Sequence, residues 1–124
     1  MKYIIDRSKW VCGDYESLGG SMLLNNQGRM CCLGQVCKQE GVDDSLMEGR
    51  PSPESLNDDT KRMNGEIGWL VVDNLGYQVD SDITFKMMKV NDSKDISQTE
   101  RELELTRLAA TAGHEMVFEG KLML

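Results

Sequence analysis

The sequence predicts a small α+β domain in which a short antiparallel sheet or hairpin packs against two or three helices. Three observations predict it: a hairpin signal around "NNQG", a helical pattern through "CCLGQVCKQ", and a helical C-terminal third closed by a capping box and a glycine. With 124 residues the chain forms one domain over 1–124, large enough to close a core without covalent staples.

The elements follow in order. "YII" opens the chain, and Asp6 or Ser8 in "DRSKW" can cap a short helical turn that carries Trp10 into the core. "GDYESLGGS" is a flexible connection. Met22–Leu24 is a short apolar strand, "NNQG" supplies residues that tolerate positive φ, and "RMCC" returns as the second arm of a hairpin. Residues 41–68 contain both prolines, many turn formers and little periodicity, so they read as a long surface loop before the ordered piece "WLVV". Residues 82–90 follow Ser81 as a candidate N-cap and place Ile83, Met87 and Val90 on one face, with Phe85 and Met88 on a second. A helix apolar on two faces needs two partners. Ser97 and Glu100 then form a capping box, Leu105, Leu108, Ala109 and Ala112 a buried stripe, and Gly113 a helix stop, before "HEMVFEG" closes as a strand with Met116 and Phe118 facing one way.

Three of the four cysteines fall in "MCCLGQVC". Cys31, Cys32 and Cys37 lack the two close pairs of a structural zinc site, Cys12 stands far upstream, and His114 is the one histidine. The spacing matches instead the three- and four-residue stripes of a buried helix, so the cysteines are expected to fill a core. The apolar start of the chain is too short for a secretory signal, which predicts a cytoplasmic protein with reduced thiols.

Hydrophobic residues make up 40% and charged residues 28%, and no window approaches the roughly 18 apolar residues of a membrane span. The formal charge of -7 argues against a protein that coats a nucleic acid polymer through a basic surface. Capture of a small anion by a few converging cations stays compatible with it. There is no G-x-S-x-G, P-loop, H-E-x-x-H or glycine-rich dinucleotide motif, so no catalytic group, metal or cofactor is assigned. The acid pairs Asp43 with Asp44 and Asp58 with Asp59 read as solvated loop residues rather than a Mg²⁺ site.

The order "MLLNNQGRMCCLG", a central "WL", "VND" after an apolar helix, a charged helix ending in glycine and a short "MVFEG" strand resembles a set of small phage proteins sharing a "CCLG" segment and an "IND"-like turn. Within that set the chain is similar to the first type of anti-Thoeris sponge proteins. The resemblance implies a phage protein acting in the host cytoplasm, a homodimer with assembly to a hexamer left open, which sequesters a cyclic ADP-ribose immune signal, or another cyclic nucleotide, without cleaving it.

Such a ligand asks for cations at its pyrophosphate, a plate for adenine, and polar groups for ribose hydroxyls and the base edge. The expected contacts are Arg101 and Arg107 as cations with Lys89 and Arg29 behind them, and Phe85 as the plate with Tyr77 or Trp69 in reserve. Asn91, in the "VND" turn, is expected to read the ligand with its free amide, with Asp92 holding the turn or a ribose hydroxyl. Two other classes stay open. One is an enzyme that degrades a nucleotide signal. The other is an inhibitor that binds a host enzyme directly, through the acidic run from Glu40 to Asp59.

Overall fold

The computed structural model describes residues 2–13, 20–50 and 81–121. In "KYIID" every second side chain turns inward, burying Tyr3 and Ile5 and leaving Lys2 and Ile4 outside, and this period of two forms strand β1 (Lys2–Asp6). Asp6 ends the strand and caps a 3-10 turn (Arg7–Lys9), its side chain accepting from Ser8 N at 2.9 Å. The turn delivers Trp10 fully buried, as expected.

Strand β2 (Glu115–Glu119) lies beside β1, but the pair is parallel, with Tyr3 opposite Met116 and Ile5 opposite Phe118. This corrects the expected antiparallel sheet. The described residues are mixed α and β, with two strands contributed by their opposite ends. Antiparallel neighbours announce themselves through a turn, whereas a parallel pair needs a crossover and leaves no local mark.

The expected hairpin is likewise revised. "NNQG" does make a tight turn: Asn25 Oδ1 accepts from Gln27 N and Arg29 N, and Gly28 sits at φ 76°. Its arms exchange the bonds Asn25 N to Arg29 O and Cys31 N to Met22 O, then part. Leu23 and Leu24 bond with Arg50 and Gly49, while Met30 bonds with Lys9 and Val11. Neither arm extends into a strand because each meets a different neighbour.

Helix α1 (Cys32–Gln39) buries all of its first six residues. Cys31 caps it, the sulfur accepting from Gly34 N at 3.4 Å. Gly34 is required by contact: a Cβ there would lie 1.9 Å from the Leu23 carbonyl oxygen. On the side facing β1, Gln39 and Gln35 act as a surrogate strand. Gln39 exchanges bonds of 2.9 and 2.8 Å with Ile4 N and O, and Gln35 bonds of 2.7 and 3.0 Å with Asp6 N and O. Two carboxamides four residues apart thus satisfy a sheet edge that would otherwise be bare.

Part of the region read as loop is ordered. Helix α2 (Asp44–Met47) is one turn that carries Met47 into the core. "WLVV" lies outside the described residues. Helix α3 (Ser81–Asp92) is longer than the expected 82–90, taking Ser81 into the helix and enclosing Asn91 and Asp92 in its last turn. Met87 is fully buried, Ile83 and Val90 partly so. Helix α4 (Gln98–Thr111) starts at Ser97, whose Oγ accepts from Glu100 N at 3.1 Å, and ends before Gly113 at φ 84°. Leu105, Leu108 and Ala109 are its buried stripe. Helix α1 packs on β1 and α3, and α4 packs on α3 and β2. None of the four cysteines forms a disulfide, and all are buried as part of this core. No helix among the described residues is long and apolar enough to cross a membrane.

Replacing Gly34 by alanine drives a methyl group into the Leu23 backbone, which no rotamer change can relieve. The expected loss is about 3 kcal/mol or more in urea unfolding. A midpoint equal to the parent's would show that α1 does not abut that carbonyl.

Candidate functional site

The expected contacts separate into an interior group and a surface group. Asn91 is 1% exposed, and its amide is committed to the protein. Oδ1 accepts from Trp10 Nε1 at 2.7 Å and from Cys32 N at 3.1 Å, while Nδ2 donates to Val11 O and to Asp92 Oδ1, both at 3.0 Å. That fills the two donors and two acceptors of a carboxamide. Its backbone carbonyl accepts from Gly13 N at 2.8 Å. The amide expected to be free therefore joins three segments instead. Asp92 takes part in the same network, accepting from Ser21 Oγ as well as from Asn91.

Arg101 is also interior, at 4% exposure. It donates to Ser93 O, just beyond the end of α3, and to Gln98 Oε1 at 3.4 Å. A Cβ on Gly13 would lie 2.9 Å from its Nη2, so the bare glycine backbone lets the guanidinium in. Its Nε has no hydrogen-bond partner among the described residues. Position explains the charge: a cation at the C-terminal end of α3 meets the Ser93 carbonyl and the negative pole of that helix's dipole.

The thiols near this clamp are held protonated. Burial pushes Cys12 up to about 11 despite the attraction of Arg101, burial likewise lifts Cys31 to about 11, and Cys32 stands well above its ordinary value for the same reason. Thiols in that state are poor nucleophiles at neutral pH. Among the described residues no three His, Cys, Asp or Glu side chains come together as a metal site.

The surface group lies on the outer side of α3 and α4. Phe85 is 58% exposed, with Lys89 Nζ 5.1 Å from its ring centroid. Beside them a groove of about 600 Å³ runs between the two helices. Val90, Ile96 and Leu103 give it apolar walls, and Leu103 is 67% exposed. Lys89 and Arg107 line it as cations and Glu100 and Glu104 as anions. Ser93 belongs to both regions, lining the groove while its carbonyl receives Arg101. The structure thus brings Arg107 together with Lys89 and its neighbour Phe85, and sets Asn91, Asp92 and Arg101 behind them. Arg29 is turned to the Ser8 and Trp10 carbonyls, each at 3.4 Å. Tyr77 and Trp69 lie outside the described residues. The sequence does not mark Leu103 or Glu104 as site residues, and it marks Glu100 only as the capping-box partner of Ser97. The available signal was an apolar residue on α4 away from the Leu105 and Leu108 stripe, flanked by charges at helical spacing.

Comparisons with protein-family models, with curated proteins and with solved structures find no match to this chain.

Asn91→Ala strips partners from the buried Trp10 indole, the Cys32 amide and the Val11 carbonyl. A loss of about 3 kcal/mol is expected in denaturant unfolding, because buried groups left unsatisfied cost roughly 1 to 3 kcal/mol each and water recovers part of that. A variant as stable as the parent would show that the network carries little. The cysteines make a second prediction. The folded pKa values of Cys12, Cys31 and Cys32 lie above those of the unfolded chain, so their contribution is fully present below about pH 9, and that of Cys12 and Cys31 is lost as pH rises through about 11. Urea midpoints should therefore fall over that window, and a thiol reagent at pH 8 should find all four sulfurs only after unfolding. Rapid labelling of the folded protein would contradict the burial.

Proposed function

We propose that this protein binds a cyclic ADP-ribose signal, or a related cyclic nucleotide, in the groove between α3 and α4 and holds it intact, as a phage sponge in the host cytoplasm. The observation that carries the reading is the make-up of that groove: Lys89 and Arg107 as cations for phosphate, Val90, Ile96 and Leu103 as apolar surface, and Phe85 exposed next to Lys89. Its volume of about 600 Å³ falls inside the usual range for small-ligand sites, roughly 300 to 1,000 Å³. Glu100 and Ser93 offer acceptors for ribose hydroxyls. The sequence resemblance to the anti-Thoeris sponges supplies the ligand class, and the groove supplies the chemistry such a ligand needs.

In this reading Phe85 and Arg107 remain ligand contacts, with Lys89 added to them. Asn91, Asp92 and Arg101 position the helix end behind Ser93 and act on the ligand through that wall. A second copy packs along α3 at the rim of the groove, so that Phe85 is shared between ligand and partner, with higher assembly following from the dimer.

Calorimetry against a panel of cyclic ADP-ribose isomers, cyclic oligonucleotides and NAD tests the reading. Arg107→Ala is expected to weaken the bound member roughly tenfold, since Arg-to-phosphate bonds are charge-assisted and often bidentate, whereas Lys121→Ala leaves it unchanged. Ligand released by heating should be recovered intact. No binding to any member would remove the proposal, and recovery of a cleaved product would replace binding by catalysis.

A further inference from the structure

Arg107 meets a ligand already paired. Its Nε donates to the two carboxylate oxygens of Glu104 at 3.2 and 3.1 Å, and Nη2 donates to the same carboxylate. That pairing holds the Glu104 carboxyl below its usual range, so it stays ionised at neutral pH. Glu100, one turn earlier on α4, lines the same wall. Two acids thus stand against the two bases of the groove, in a chain whose formal charge is already -7. A site built for a highly charged phosphate would carry an excess of cations, and this one carries none.

We propose that Glu104, with Glu100 beside it, is a specificity-determining residue that sets a ceiling on ligand charge, so that the groove accepts hydroxyl-rich phosphate or pyrophosphate diesters and rejects nucleotides ending in a phosphomonoester. The inference rests on the groove being the ligand site. A phosphomonoester ionises a second time near pH 6 and so brings an extra negative charge to the carboxylates, while a diester has no second proton to lose. Carboxylates are acceptors only, so the same residues that repel the extra charge bind the hydroxyls of a ribose. Glu104 also competes with the ligand for Arg107, and a diester with a single charge on each phosphorus, which leaves the ion pair partly in place, meets less opposition than a doubly ionised terminal phosphate. Both side chains of the pair are substantially exposed, at 62% and 40%, so the discrimination is moderate and sensitive to salt.

The test compares cyclic ADP-ribose with ADP on the native protein, Glu104→Gln and Glu100→Gln, in low salt and in about 0.5 M salt. The native protein should prefer the cyclic diester. In low salt Glu104→Gln should shift the ratio of the two affinities toward ADP by about three- to tenfold, Glu100→Gln by less, and added salt should shrink both shifts. A native preference for ADP, or a ratio unchanged in Glu104→Gln while cyclic ADP-ribose still binds, overturns the charge ceiling and leaves the binding function standing. Failure of the native protein to bind either nucleotide overturns the charge ceiling, and failure to bind any member of the calorimetry panel overturns the binding function as well. A general loss of structure in Glu104→Gln would depress the two affinities together, so the ratio separates specificity from stability.

Discussion

The Asn91 carboxamide is the constraint on which the rest of the architecture depends. Three segments far apart in the chain meet at it: the exit from β1 at Trp10 and Val11, the first amide of α1 at Cys32, and the last turn of α3. The N-terminus of α1 would otherwise leave an amide unpaired in the core, and the Trp10 indole would be buried with its N–H unmet. Either omission costs more than the bond itself contributes, because a buried polar group without a partner forfeits its hydration for nothing. With each donor and acceptor used, the network specifies one arrangement of these segments.

That arrangement fixes the walls of the groove. Arg101 holds Ser93 at the end of α3 from within α4, so the mouth between the two helices is pinned from behind. On the same helix, Glu102 takes a bidentate pair from Arg7, at 3.0 and 2.7 Å, and Arg7 also reaches Gly120 O at 2.7 Å. One arginine therefore joins the end of β1 to α4 and to the residue after β2. Charged side chains that would be expected on a solvated face are used here to hold helices in register. The groove's own charges remain on the outer face of the same two helices.

The parallel pair, the whole of the sheet among the described residues, shows how a sheet edge is closed. Two strands alone expose edges, and β1 closes its own with Gln35 and Gln39 of α1. Gln35, at 5% exposure, lies where a buried helix would be expected to carry an apolar group, while Gln39 reaches the strand from the exposed end of the helix. The burial of Gln35 is paid in hydrogen bonds to the Asp6 backbone. Helix α1 thus packs on the sheet both as a hydrophobic face and as a source of strand-like bonds.

Much of the local structure was legible from the residues. Ser97 and Glu100 marked the start of α4 and Gly113 its end, Asp6 marked the turn before Trp10, and the spacing of Cys32, Val36 and Cys37 marked a buried helix, because these signals act within one or two helical turns. The parallel strand pairing, the commitment of Asn91 to the interior and the burial of Arg101 were decided by tertiary structure. Asn91 meets Trp10 from 81 positions away, and no pattern around "VND" distinguishes an amide turned inward from one left free. The site followed the same division. Phe85 and Arg107 could be nominated by residue type, whereas the groove with its opposing glutamates exists only where the surfaces of α3 and α4 are brought side by side. Short-range sequence patterns determine which segments become helices and which face is apolar. Which polar groups spend their hydrogen bonds inside the protein depends on partners that only packing supplies.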